Sequence, residues 1–256
     1  MNEARATRWL SWEGPRLRLG PILLVVAVGI AVLASGFALS WLVLARVAPS
    51  LAERWPLVAL ADVFVLTLAL LGIAIARRRL PDAEFGLRWP RDKRAWLGRS
   101  VAWAVALAAV MLVVDSGAGL MHGRAPEPTA HGALDLTGWL AFNALLVGPC
   151  EEILFRGLLL GVLGALSPSR VRFGARSISA AGIVIALLFA LAHARSFAIE
   201  AWPIALGQQV YAFAFGLLYV GWRERSGSLL MPVVVHSVSD VVEEVAVYVL
   251  ATFVGR

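Results

Sequence analysis

Residues 136–166 read LTGWLAFNALLVGPCEEILFRGLLLGVLGAL. About 20 predominantly apolar residues suffice for a helix to cross a bilayer, so this run is long enough to span one. Yet Glu151, Glu152 and Arg156 sit near its middle. A carboxylate at bilayer depth costs roughly 2.5–3.5 kcal/mol on insertion scales, so it needs a use or a partner. Two other apolar runs carry polar residues at similar depth: His193 in one, His236 and Asp240 in another. Working outward from this stretch, the chain reads as a membrane protein with polar chemistry inside the membrane.

Composition agrees. Of 256 residues, 60% are hydrophobic and 16% are charged, against about 45–50% apolar in soluble domains. Lipid offers no partner for bare backbone, so long apolar runs without alternation should be helices. The expected fold class is therefore all-α, a polytopic membrane protein with the site inside the helix bundle. Seven runs are candidates for spans: 21–45, 55–76, 96–121, 136–166, 178–193, 202–222 and 229–254. The fifth is short for a crossing. The first is too long for the apolar core of a cleaved signal and reads as a retained helix. No internal repeat and no second domain is evident, so residues 1–256 read as one transmembrane domain.

Loop charges test the count. Arg5, Arg8, Arg16 and Arg18 precede the first run. Arg77, Arg78, Arg79, Arg88, Arg91, Lys93 and Arg94 follow the second, Arg170, Arg172 and Arg176 the fourth, and Arg223 and Arg225 the sixth. The intervening loops hold only Arg46 and Arg54, then Arg124, then Arg195. This alternation fits seven spans with the N-terminus cytoplasmic and the C-terminus outside. The net charge of +6 thus sets topology and does not argue for nucleic acid. The basic segment 77–94, with Phe85, Leu87 and Trp89 interleaved, is expected at the membrane surface. Trp41, Trp55, Trp89, Trp96, Trp139, Trp202 and Trp222 fall near span ends as interfacial anchors. Segment 122–135, with Gly123, Pro126, Pro128 and Gly132, reads as an external loop that leaves His122 and His131 in solvent. The alanine- and arginine-rich composition fits a bacterial inner membrane.

The polar residues fall into helical registers. Glu152 and Arg156 are four apart on one face, in the better orientation for an ion pair. Glu151 points about 100° away from Glu152 on a 3.6-residue repeat. Arg156 can therefore neutralise Glu152, while Glu151 is free to face a cavity as a general base. His193 lies four residues after Phe189. His236 and Asp240 share a face, which Glu243 continues. A base with imidazoles beside it is the minimum for splitting an amide with water, one group taking the proton and others holding the oxyanion. Counted along straight helices, Glu151 falls near mid-bilayer, His236 nearer the cytoplasm and His193 nearer the outside. They meet only if the fifth span starts deep or tilts.

The order Glu-Glu-x-x-x-Arg (Glu151, Glu152, Arg156), Phe-x-x-x-His (Phe189, His193) and His-x-x-x-Asp (His236, Asp240) resembles the CAAX protease and bacteriocin-processing (CPBP, or Abi) intramembrane glutamic endopeptidases. The run from Gln209 to Gly216 and then from Ser226 to His236 is also similar to that family. The resemblance covers roughly 136–242, while residues 1–135 show nothing specific to it. It implies a membrane hydrolase that cleaves a membrane-associated peptide or protein without a metal or other cofactor. It implies Glu151 as the base that activates water and His193 as the group that positions it. Glu152 with Arg156 would be structural support, and His236 and Asp240 the oxyanion site. Asp240 departs from the commoner asparagine, because an ionised aspartate cannot donate to an oxyanion. Either Asp240 is protonated, or it orients His236 and leaves His236 as the donor; the second reading is preferred.

Rival readings remain open at this level. Zinc held by His193, His236 and Glu151 would make a metal-dependent membrane protease, but no His-Glu-x-x-His pattern is present. Cys150 is the single cysteine, which excludes an intrachain disulfide, and its neighbour Glu151 works against a reactive thiolate. Gly157 and Gly161 read first as a packing face. A non-catalytic membrane protein that binds a partner, as in bacteriocin immunity, is the alternative to an enzyme. A transporter is disfavoured by the absence of repeat symmetry.

Overall fold

The computed structural model describes residues 10–51, 54–90, 94–130 and 132–254. Arg5, Arg8, Arg91, Lys93 and His131, singled out above, lie outside the described residues. Among the described residues the architecture is helical with one small sheet. The order is β1 (Leu10–Glu13), α1 (Leu19–Val47), a 3₁₀ turn (Pro49–Leu51), α2 (Trp55–Arg79), α3 (Arg94–Met121), then the fourth rod. That rod comprises α4 (Ala133–Phe142), a π-helical segment (Asn143–Val147), α5 (Gly148–Glu152), a second π-helical segment (Ile153–Leu159) and α6 (Leu160–Leu166). A hairpin, β2 (Arg170–Phe173) and β3 (Arg176–Ser179), leads into α7 (Ala180–Ala192), α8 (Ser196–Ile199), α9 (Trp202–Ser226) and α10 (Leu230–Val254).

The seven expected runs correspond to these rods. Five helices are long and apolar enough to cross a membrane: Leu19–Val47, Trp55–Arg79, Gly98–Met121, Ala180–Ile199 and Trp202–Ser226. The other two rods carry the acids of the sequence motifs. The fourth is broken into α and π pieces around Glu151 and Glu152, and α10 holds Asp240, Glu243 and Glu244. Broad apolar surface on the outer helices, including Leu23, Ile30, Trp41, Ile75 and Val113, suits contact with lipid.

The sheet was not expected. Strand β1 pairs antiparallel with β2, with Leu10 opposite Phe173, and β2 pairs antiparallel with β3. It lies at the basic end of the bundle. There Arg172 reaches Glu13, Arg170 pairs with Glu224 at 2.9 Å, and Arg223 donates to the Glu84 carbonyl. Segment 80–90 is only partly a surface element. Phe85 is buried, the Gly86 carbonyl accepts from the Leu229 amide at 3.0 Å, and Leu87 and Trp89 are exposed. The tight turn after α9 uses Gly227 at φ 68°, a left-handed conformation that glycine adopts without strain.

Two local features place the site. Pro149 lacks the amide that would bond back to residue 145. The π segment 143–147 ends just before it, and wide π turns are frequent at functional sites. The second feature is the contact of α5 with α10. A Cβ on Gly148 would lie 2.9 Å from the Val233 carbonyl and 3.0 Å from the Ser237 amide. Gly148→Ala is therefore expected to destabilise the bundle by about 1–3 kcal/mol, the usual cost of overpacking. Thermal unfolding in detergent would check this, and an unchanged midpoint would contradict it.

Candidate active site

Glu152 is completely buried and accepts two hydrogen bonds on Oε1. One comes from Arg156 Nη1 at 2.9 Å and one from His236 Nδ1 at 2.9 Å. The first is the expected i, i+4 pair. The second, from α10, is tertiary and invisible to helix counting. An ionised carboxylate is an acceptor only, so the contact assigns the proton to Nδ1. The Arg156 cation is fully buried as well, and its Nε and Nη2 have no hydrogen-bond partner. It lies instead over aromatic faces, with Cζ 4.0 Å from the Phe189 ring centroid and 5.2 Å from that of Tyr219. This is favourable cation–π geometry.

The same two rings hold His236. Tyr219 stacks on the imidazole with centroids 5.4 Å apart, and Phe189 meets it edge-on at 6.0 Å. With Nδ1 engaged, Nε2 is left 3.7 Å from Glu151 Oε2 and 3.6 Å from Asp240 Oδ2. Both separations are too long for direct hydrogen bonds. The expected Asp240–His236 pairing is present as a 3.6 Å approach to Nε2, and a second carboxylate shares the ring. Glu152 holds the ring, and Asp240 faces its opposite nitrogen.

His193 caps α7, with Nδ1 2.8 Å from the Phe189 carbonyl. A carbonyl only accepts, so Nδ1 carries the proton and Nε2 remains an acceptor. Ser196 donates to the His193 carbonyl at 2.9 Å and fixes the turn. Residues 176–179 are strand and α7 has 13 residues, so it rises only about 20 Å before ending. A shortened fifth helix thus brings His193 to the level of Glu151, which straight-helix counting did not.

Glu151, His193, His236 and Asp240 line one cavity of about 140 Å³, closed by Phe189, Tyr211 and Tyr219. A second, more open cavity of about 590 Å³ shares Glu151, His193, Val147 and Gln208 with it and runs between α1, α2 and the fourth rod. Glu151 is half-buried, with 27% of its side chain exposed, and its Oε2 is buried without a hydrogen-bond partner. Cys150 is buried. Among the described residues, no three His, Cys, Asp or Glu side chains are grouped so as to hold a metal ion.

Two acids escaped the sequence reading. Asp62 of α2 lines the larger cavity, and Asp115 of α3 accepts from the Tyr211 hydroxyl at 3.0 Å. The signal that exposes Glu151, an acid at bilayer depth, applied equally to both.

Residues 133–242 match a family model described as type II CAAX prenyl endopeptidase, Rce1-like. The matched segment contains every motif position from Glu151 to Asp240 and agrees with the family that those motifs resemble. No curated protein and no solved structure matches the chain.

Proposed function

We propose that this chain, whose residues 133–242 carry the Rce1-like pattern, is an intramembrane endopeptidase that hydrolyses a peptide bond with a glutamate-activated water. The family match supports a CAAX-type membrane peptidase. The observation that carries the finer reading is the convergence of Glu151, His193, His236 and Asp240 from three helical rods on one small cavity.

In this mechanism a water sits between Glu151 and His193. Glu151 takes its proton as the oxygen attacks the scissile carbonyl. Charge then develops on the carbonyl oxygen, and His236 meets it as the imidazolium, with one proton held on Nδ1 by Glu152 and the other donated from Nε2. Asp240 and Glu151 flank that nitrogen at 3.6 and 3.7 Å. Glu151 returns its proton to the leaving amine as the C–N bond breaks. Glu152 keeps the imidazole in place throughout, and Phe189 and Tyr219 restrict its rotation.

The substrate is a membrane-associated peptide or protein. The basic segments, which the structure gathers at one end with the sheet and the α9–α10 turn, support a cytoplasmic N-terminus.

Two tests follow. Cleavage of a peptide library by pure protein is expected to survive a chelator. Activity lost to chelation and restored by zinc would assign the chemistry to a metal. Asp240→Asn is expected to retain cleavage within about tenfold while altering the pH profile, because the change removes a charge but no hydrogen bond to Nε2. Complete loss at every pH would show that Asp240 acts on the reacting atoms directly.

A further inference from the structure

We propose that Asp62 is the specificity-determining carboxylate of the larger cavity, selecting substrates with a lysine or arginine close to the scissile bond. This inference rests on the peptidase reading and adds to it a substrate class.

The cavity is a groove with apolar walls. Leu33 and Phe37 of α1, Val58 and Val65 of α2, and Leu154 and Phe155 of the fourth rod form its sides. At its inner end lie Glu151 and His193, shared with the catalytic cavity. Asp62 interrupts the α2 wall. It lines the cavity together with Cys150 and Glu151, so it lies beside the reacting centre. At the rim, Arg195 and Glu200 offset one another in charge.

What Asp62 lacks is a cation. Among the described residues no arginine, lysine or histidine forms an ion pair with it. An acid at bilayer depth without a cation is a functional position by default. Glu152 solves the same problem with Arg156, and Asp62 has no such neighbour. Glu151 is committed to the water and to the face of His236. Asp62 is therefore free to meet a group that arrives with the substrate.

A lysine or arginine side chain fits that demand. Its aliphatic stem lies along the apolar wall and its charged head reaches the carboxylate, as such side chains do at membrane boundaries. The resulting hydrogen bond is charge-assisted and forms in a low-dielectric groove. A neutral substrate leaves the carboxylate desolvated and unpaired, and that penalty provides discrimination.

The test uses full-length protein in nanodiscs and paired peptides that differ only by Lys or Met within three residues of the cleaved bond. Wild type is expected to favour the Lys peptide by about tenfold or more in kcat/KM. Asp62→Asn should abolish the preference, lowering cleavage of the Lys peptide and raising that of the Met peptide until the two are cleaved alike. Asp62→Lys should favour a Glu peptide. Equal cleavage of both peptides by wild type would overturn the assignment, as would an equal loss on both in Asp62→Asn. In either case the peptidase reading would stand, provided that Glu151→Gln abolishes both cleavages. Binding of the same peptides to Glu151→Gln, followed by fluorescence anisotropy, tests the preference without turnover. A lack of preference for Lys there would overturn the proposal even if no peptide is cleaved.

Discussion

Glu151→Gln is expected to reduce cleavage by about 10³-fold or more, within the range spanned by general acid–base groups, while leaving thermal unfolding unchanged. The substitution is nearly isosteric and removes no ion pair that the fold relies on. Glu151 is half-buried on a cavity, its Oε2 has no hydrogen-bond partner, and His236 Nε2 is 3.7 Å away. A protein that merely binds a partner through this fold should tolerate the change. Glu151→Gln with wild-type cleavage would remove Glu151 as the base. Loss of cleavage with an unchanged unfolding midpoint would separate chemistry from folding.

The second large effect concerns Glu152 and Arg156, where stability and activity should come apart. Arg156→Ala leaves a buried carboxylate with only His236 beside it. Breaking one half of a buried pair costs about 3–5 kcal/mol, so the unfolding midpoint should fall sharply. Replacing both charges by apolar residues, as in Glu152→Leu with Arg156→Met, is often close to neutral. The double variant is therefore expected to recover most of the stability. It should remain inactive, because His236 Nδ1 loses the acceptor that now sits 2.9 Å away. A double variant that is stable and cleaves at more than about a tenth of the wild-type rate would show that Glu152 serves the fold alone; stability and activity restored together would sink the positioning role, whose typical cost on loss is of that order or larger. Thermal unfolding and peptide cleavage on the same preparations decide between these outcomes.

Much of this architecture was legible in the sequence because the bilayer imposes simple rules. Apolar length marked the rods. Helical spacing alone separated Glu152 from Glu151. Other features depended on contacts that no local pattern records. The second partner of Glu152 comes from residue 236, on the last helix. The π segments that flank α5 follow from local backbone hydrogen bonding, with Pro149 as the one visible cue. Strands β2 and β3 are four residues each and rich in arginine, so they read as a basic loop. Phe85 reads as a membrane-surface residue until its docking beside Gly161 is seen, where a Cβ would lie 2.6 Å from the phenylalanine ring. Asp62 and Asp115 were equally visible as intramembrane acids, but lacked a motif to draw attention to them.

The brevity of α7 has a consequence for the surrounding lipid. Its 13 residues rise about 20 Å, against a hydrocarbon thickness of about 30 Å. Leu187 and Leu191 on its outer side are exposed and must be solvated by acyl chains. The span continues through a turn and α8 to Ile199, but its regular helix ends at Ala192, so the chains beside it are expected to tilt or shorten and the bilayer to thin locally. On the peptidase reading, such thinning would lower the headgroup region toward His193 and shorten the path of the water that hydrolysis consumes. On that reading lipid chain length is expected to become a variable of turnover: short-chain bilayers relax the mismatch, and long-chain bilayers deepen the dimple around the mouth of the cavity.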